Sequence, residues 1–123
     1  MRIPSATYRL QVHADFTLHD VVRIVDYLHA LGISDLYLSP IFEAAPGSTH
    51  GYDVTDPTRV GDAVGGRAAF DALAASARER GMSILLDIVP NHMAATAENP
   101  YWRDVLMHGR ASRYAAWCDI DWH

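Results

Sequence analysis

The chain contains no lysine, so all ten of its basic residues are arginines. Fifteen acidic residues outnumber them and give a formal net charge of -5. The arginines form no basic stripe of the kind that binds phosphate groups. The composition therefore argues against a protein that binds nucleic acid or anionic membrane surfaces.

Cysteine is nearly absent as well, because Cys118 is the only one in 123 residues. A single cysteine excludes a disulfide framework. The opening segment, 1–7, lacks the long apolar core of a signal peptide, and no apolar run approaches the roughly 18 residues of a transmembrane helix. These absences predict a soluble protein in a reducing cytoplasm.

What the chain has instead is an alternation of strand patterns and helix patterns. Half of the residues are hydrophobic, enough for one modest core, and the length is too short for two ordinary domains. A strand, helix, strand unit normally pairs its strands in parallel. The sequence predicts an α/β domain whose parallel sheet is incomplete, with strands at 7–12, 33–39 and 84–89 and helices at 18–28, 70–77 and 100–106.

Local signals at the helix starts support these assignments. Thr17 and Asp20 have the spacing of a capping box, and Asn99 can cap the third helix. That helix is expected to turn one apolar face toward the core, made of Trp102, Val105 and Leu106.

The third strand pattern carries the candidate chemistry. It is an aliphatic run with Asp87 inside it, typical of a strand covered on both faces. Pro90 cannot donate to a sheet ladder, so Asn91 and His92 should lie just beyond the carboxyl end of the strand. Ligands bind at that end in open α/β sheets and in (β/α)8 barrels.

The pattern leaves alternatives open for both polar side chains. A buried acid needs a partner, so Asp87 either pairs with a base or serves a site. His92 could bind a ligand, act as a base or coordinate a metal, but a lone histidine at the start of a loop is more often a hydrogen-bonded loop residue. No second His, Cys or Glu lies at a zinc-like spacing from it.

The segment 40–66 is punctuated by proline and glycine and shows no lasting helical or alternating pattern. Loops of this length in compact domains are usually functional or disordered, and we expect a functional loop. The ring of Tyr52 could offer an apolar face to a sugar or base, or anchor the loop in the core. The aspartates of this loop and of the tail could supply a paired acid and base, but aspartates in such loops are usually turn formers; they are Asp53, Asp56, Asp119 and Asp121.

Two short motifs resemble the α-amylase superfamily: 87–92 resembles its first signature region and 51–53 resembles the tyrosine loop that precedes it. Longer stretches, 4–11, 48–60 and 108–112, resemble the maltooligosyltrehalose synthase family within it. The resemblance implies the amino-terminal part of a (β/α)8 barrel, about three strands with their helices, in which the barrel is not closed. We expect the whole chain to be part of a catalytic barrel domain that continues beyond His123.

The reaction implied by this resemblance is an intramolecular transglucosylation. The reducing-end α-1,4 linkage of a maltooligosaccharide becomes α,α-1,1, which leaves a trehalose unit at the chain end. The implied partners are this α-1,4-glucan substrate and a hydrolase that releases trehalose downstream, and no cofactor is implied.

The resemblance also implies residue roles. Tyr52 would stack on the glucose in the subsite before the cleaved bond, His92 would hydrogen-bond its hydroxyls, and Asp87 would brace the neighbouring site. The candidate substrate-binding residues are Tyr52, His92, Asp87, Asp53 and Gln11.

Some expected features of the superfamily are missing. Its retaining chemistry needs a nucleophilic carboxylate and a second carboxyl as acid and base, roughly 5 to 5.5 Å apart. These groups follow later barrel strands and have no counterpart in this chain, so we expect no catalytic residue and no turnover from the 123 residues alone. Asn91 binds calcium in many amylases, but the synthase family is not thought to need it, and no metal is assigned. The stretch 62–64 departs from the family's usual asparagine- or proline-containing turn.

Two other functions remain open. The chain could belong to an α-amylase or 4-α-glucanotransferase of the same superfamily, or be a non-catalytic carbohydrate-binding or interaction domain. Only the last predicts a cooperatively unfolding, monodisperse isolated chain, since bare edge strands favour aggregation or a partly molten state.

Overall fold

The computed structural model describes residues 3–123, which form a three-stranded sheet, a two-stranded sheet and three α-helices. Met1 and Arg2, which begin the segment without a signal-peptide core, lie outside the described residues. The strands are β1 Thr7–Leu10, β2 Asp35–Leu38, β3 Phe42–Ala44, β4 Val54–Val60 and β5 Ser83–Leu86, and the helices are α1 Leu18–Ala30, α2 Gly66–Glu79 and α3 Pro100–His108.

The larger sheet is parallel, as the alternating pattern predicts, with the strand order β1-β2-β5. Its register places Arg9 beside Tyr37 and Tyr37 beside Leu85. Because the three strands run in the same direction, their carboxyl ends share one edge of the sheet. We call this edge the carboxyl edge.

One face of this sheet packs against α1 and α2. Side chains alternate between the faces of a strand, so every second residue of β1 and β2 points toward the helices. The helices pack against this face through apolar residues that lie three and four positions apart. The buried core contains Leu10, Leu36 and Leu38 from the sheet, Leu18, Val21, Val25 and Leu28 from α1, and Ala69, Leu73 and Ala77 from α2.

The capping box predicted for α1 is present. The carboxylate of Asp20 accepts hydrogen bonds from the backbone N–H and the hydroxyl of Thr17, both at 2.8 Å. This satisfies a donor that the first turn of the helix leaves without a partner.

The prediction made from the third strand pattern is wrong in two respects, the position where the strand ends and its burial. β5 ends at Leu86, so Asp87 lies one residue past the strand, although its N–H still donates to the carbonyl of Leu38 at 2.9 Å. β5 is also an edge strand of the described sheet, and Leu86 and Ile88 are 37% and 56% exposed. The aliphatic run predicted burial on both faces, but within residues 3–123 no further strand pairs with β5 to provide it.

The segment 40–66 is more regular than its sequence predicts. β3 and β4 pair as an antiparallel hairpin whose register shifts twice within three residues. β3 is too short to show alternation, and Pro57 interrupts the pattern of β4. The hairpin arms hold the intervening loop, 45–53, against the carboxyl edge.

Helix α3 begins after Asn99, as predicted, but fewer of its apolar side chains are buried than predicted. The side chain of Asn99 accepts from the N–H groups of Tyr101 and Trp102 at 3.0 and 3.1 Å. Val105 is buried, whereas Leu106 is 63% exposed, so the expected placement of Leu106 is wrong. No helix within the described part of the chain is both long and apolar enough to cross a membrane.

Candidate functional site

Three side chains from distant parts of the chain meet at the carboxyl edge. The hydroxyl of Tyr52 donates to Asp87 Oδ2 at 2.6 Å. Arg9 donates to the same Asp87 oxygen from Nη1 at 3.0 Å and to the Tyr52 hydroxyl from Nη2 at 2.9 Å. These contacts close a triangle, which we call the Arg9–Tyr52–Asp87 cluster.

The cluster fixes the charge state of its members. The hydrogen bond from Tyr52, aided by Arg9, holds the pKa of Asp87 below its ordinary value despite the opposing effect of partial burial. The same hydrogen bond to Asp87 raises the pKa of Tyr52. Asp87 is therefore an ionised acceptor and Tyr52 a protonated donor over the physiological range.

Arg9 was missed by the sequence analysis, which left open whether Asp87 pairs with a base or serves a site. The structure shows that Asp87 does pair with a base. A signal was available in the strand periodicity. Positions 9, 37 and 85 share one face of the parallel sheet, and Asp87 is the next position on that face beyond β5.

The loop that presents Tyr52 is held by its neighbours. Gly51 has a φ of +74°, and a Cβ built on it would lie 2.6 Å from the carbonyl oxygen of Pro40. Only glycine combines this backbone conformation with so close an approach. The N–H of Tyr52 donates to His50 Nδ1 at 3.0 Å, and the two rings stack with centroids 5.9 Å apart.

Two predicted site residues hold this loop in the described structure. The carboxylate of Asp53 accepts from the hydroxyl of Ser48, which in turn accepts from the N–H of Gly51 at 3.1 Å. Gln11, just past β1, donates from Nε2 to the carbonyl of Thr49 at 3.2 Å. Both therefore border the cluster through the loop backbone.

His92 lies apart from the cluster. Its Nδ1 is 2.9 Å from Asn91 Oδ1, and its side chain faces an open cleft of about 460 Å³. No hydrogen bond joins His92 to Arg9, Tyr52 or Asp87 within residues 3–123. The cleft is also lined by Pro57, Val89, Pro90, Met93 and Trp117.

Two of the aspartates predicted to form turns, Asp56 and Asp121, accept hydrogen bonds from residues two positions further along the chain, and Asp56 also accepts from the hydroxyl of Tyr101 at 3.1 Å. Asp56 accepts from the hydroxyl and N–H of Thr58 at 2.6 and 2.9 Å. Burial would raise the pKa of Asp56, but these bonds outweigh it and leave the pKa lowered. In the tail, Asp121 accepts from the N–H of His123 at 3.0 Å.

Residues 13–121 match the family model described as the catalytic domain of α-amylase. The chain belongs to the α-amylase family. As an α-amylase family member it matches the amino-terminal part of the catalytic domain, with an α/β fold and an open parallel sheet, as predicted.

Within the α-amylase family the chain is similar to maltooligosyltrehalose synthases, which confirms the resemblance in the sequence. A putative maltooligosyl trehalose synthase of Mycobacterium tuberculosis is 49% identical over 124 residues, covering 95% of this chain and 16% of that protein. The maltooligosyltrehalose synthase structure from Arthrobacter ramosus superposes with a TM-score of 0.94 at 52% identity, covering 97% of this chain and 16% of that one.

An intracellular maltogenic amylase of Bacillus subtilis is more distant. It is 39% identical over 103 residues, covering 84% of this chain and 17% of that protein. The chain therefore spans 16 to 17% of the length of these three relatives.

Proposed function

We propose that this chain forms one wall of the glucose-binding site of a maltooligosyltrehalose synthase. The activity is the isomerisation of the reducing-end α-1,4 linkage of a maltooligosaccharide to α,α-1,1. The observation that carries the proposal is the meeting of Tyr52 and Asp87 at the carboxyl edge, in a chain 52% identical to the A. ramosus synthase. Identity to the B. subtilis maltogenic amylase is lower, at 39%.

In this proposal each residue has a distinct task. Tyr52 stacks on the glucose before the cleaved bond, and a ring fixed at both its backbone and its hydroxyl suits a stacking platform. Asp87 braces the neighbouring site as a permanent anion, and His92 hydrogen-bonds the sugar hydroxyls from its open cleft. Gln11 and Asp53 act at the border of the site through the loop that they hold.

We further propose that the nucleophile and the acid or base come from parts of the domain outside this chain. Asp87 is unsuited to proton donation because its lowered pKa keeps it ionised. Its oxygen Oδ2 is already shared by Tyr52 and Arg9. The product would still require a hydrolase to release trehalose, and such a hydrolase is the proposed functional partner.

A pair of chimeras tests the function. In one, this chain replaces the matching segment of the A. ramosus synthase, and in the other it replaces the matching segment of the B. subtilis maltogenic amylase. We expect the first, called the synthase chimera, to lower the reducing power of maltopentaose without releasing shorter reducing sugars. The amylase chimera should be inactive, since its sugar-site wall would come from an enzyme of different specificity.

The two chimeras also distinguish the alternatives. Activity of the amylase chimera with an inactive synthase chimera would support a hydrolase. Correctly folded chimeras that are both inactive would support a non-catalytic domain. The unmodified synthase and amylase, assayed in parallel, define full activity.

A further inference from the structure

Arg9 lies on the face of the parallel sheet that the helices leave uncovered. It is directly beside Tyr37 in the register, and its guanidinium carbon lies 4.8 Å from the centre of the Tyr37 ring. A cation over an aromatic face is attracted by the ring. The Tyr37 ring therefore helps to position the Arg9 guanidinium over this face of the sheet.

From that position the guanidinium reaches two partners at once. Nη1 contacts Asp87 and Nη2 contacts Tyr52, at 3.0 and 2.9 Å. Asp87 and Tyr52 are also bonded to each other, so the orientation of each depends on the other two. The side chains of Arg9 and Asp87 are 38% and 18% exposed, so the cluster is open to a ligand at the carboxyl edge.

We propose that Arg9 is a positioning residue, which fixes the Tyr52 ring and the Asp87 carboxylate as one unit for sugar binding. This inference rests on the proposed function. Without Arg9, the carboxylate would lose its only ion-pair partner among residues 3–123, and only hydrogen bonds from Tyr52 and Tyr37 would hold it. The Tyr52 hydroxyl would lose one of its two partners, so the ring would be held less firmly.

The geometry requires arginine in particular. A guanidinium presents its N–H groups in a rigid planar fork, whereas a lysine ammonium is a point charge on a flexible stem. Lysine at position 9 would restore the positive charge near Asp87. It would not hold Asp87 and Tyr52 together through two separate nitrogens.

The test uses the synthase chimera with Arg9→Gln, Arg9→Lys, Tyr52→Phe and the double variant Arg9→Gln/Tyr52→Phe. We expect Arg9→Gln to lower kcat/KM by about 10- to 100-fold, the range expected when a reacting group is slightly misplaced. Arg9→Lys should recover less than half of this loss on a logarithmic scale. The control is Arg23→Gln, because Arg23 also pairs with an aspartate, Asp20, at 3.0 Å but lies on the outer surface of α1.

The double variant separates positioning from an independent effect. If Arg9 acts through Tyr52, kcat/KM of the double variant should be within about threefold of that of the less active single variant. The reason is that the effects of substitutions at coupled residues do not add. Multiplicative losses, full rescue by Arg9→Lys, or an equal loss in Arg23→Gln would each overturn the proposal. If the synthase chimera without further substitutions makes reducing sugars, the proposed function is refuted but the role of Arg9 is not. The same ratios of activity between variants, measured on hydrolysis, would then decide the role of Arg9.

Discussion

At the scale of one residue, Asp87 forms an ion pair with Arg9, and we propose that the same carboxylate also has a role in the sugar site. Its partners, Arg9 and Tyr52, lie 78 and 35 positions away in the sequence. Their hydrogen bonds lower its pKa from an ordinary value of 3.8. A carboxylate held in this way is a fixed negative charge, which suits a bracing group better than a proton-transfer group.

The lowered pKa predicts how Asp87→Asn behaves with pH. A carboxyl group whose pKa is depressed by folding stabilises the protein above its unfolded pKa, and the stabilisation is lost as pH falls through the folded pKa. In the synthase chimera, we expect the difference in apparent melting temperature between parent and Asp87→Asn to be constant from pH 8 to pH 5. It should shrink only as pH falls below the ordinary value of 3.8, because the carboxyl of the unfolded chain then takes up a proton before that of the folded chain does.

The control for this measurement is Asp15→Asn, since the Asp15 side chain is 98% exposed. It should change the melting temperature little at any pH. A difference for Asp87→Asn that already shrinks between pH 7 and pH 5 would show that the cluster does not depress the pKa of Asp87.

At the scale of the element, the β3–β4 hairpin decides where Tyr52 lies. The hairpin begins soon after β2, and its loop passes so close to Pro40 that a Cβ on Gly51 would meet the Pro40 carbonyl oxygen. The N–H of Ala45 donates to the carbonyl of Asp53 at 3.0 Å and closes the base of the loop. Tyr52 is thus presented by a braced loop of a hairpin whose strands the sequence pattern did not reveal.

This close approach predicts different effects of alanine at two glycines of the same loop. Gly51 and Gly47 have similar positive φ angles, +74° and +80°, so both substitutions share a backbone strain of about 1 to 2 kcal/mol. Only at Gly51 would the new Cβ meet a neighbour within 4 Å, the Pro40 carbonyl. We expect Gly51→Ala to cost about 1 to 3 kcal/mol more stability than Gly47→Ala.

The displaced loop should also affect activity. In the synthase chimera, Gly51→Ala should lower kcat/KM strongly because Tyr52 is the next residue, whereas Gly47→Ala should leave most activity. The comparison requires the thermal stability and kcat/KM of both variants. Equal effects of the two substitutions would show that the contact with Pro40 does not position Tyr52.

At the scale of the whole molecule, the described sheet is well covered on one face and open at β5. Leu85 and Leu86 are 38% and 37% exposed there, whereas Leu36 and Leu38 of the neighbouring strand are fully buried. An exposed edge strand with apolar side chains is a template for pairing with another chain. The helices provide a core without closing that edge.

We therefore expect the 123-residue chain, taken alone, to self-associate and to bind a hydrophobic dye such as ANS. Leu85→Lys should reduce the association, because a charge on an edge strand opposes pairing. Leu106→Lys is the matched control, since Leu106 is 63% exposed on α3, and it should leave the association unchanged. Size-exclusion chromatography checks both. A monodisperse chain with one cooperative unfolding transition would contradict this expectation and favour an independent domain.

Local patterns were enough to predict the capping box of α1, the Asn99 cap of α3 and the alternation of strands and helices, because these depend on residues close together in the chain. The parallel sheet follows from that alternation, since a strand, helix, strand unit normally pairs its strands in parallel. The motifs around Tyr52 and Asp87 likewise indicated the family. The hairpin, the edge position of β5 and the exposure of Leu106 could not be predicted in this way. Each depends on which distant segment covers a given face, and apolar periodicity does not contain that information.

The sequence by itself determined the fold class, the family and the two residues at the centre of the candidate site. Only the tertiary structure decided that Arg9 is the base that pairs with Asp87 and that Gln11 and Asp53 hold the tyrosine loop. The physical reason is that a side-chain contact depends on strand register and loop path together. Both are fixed only when the sheet assembles from segments that are far apart in the chain.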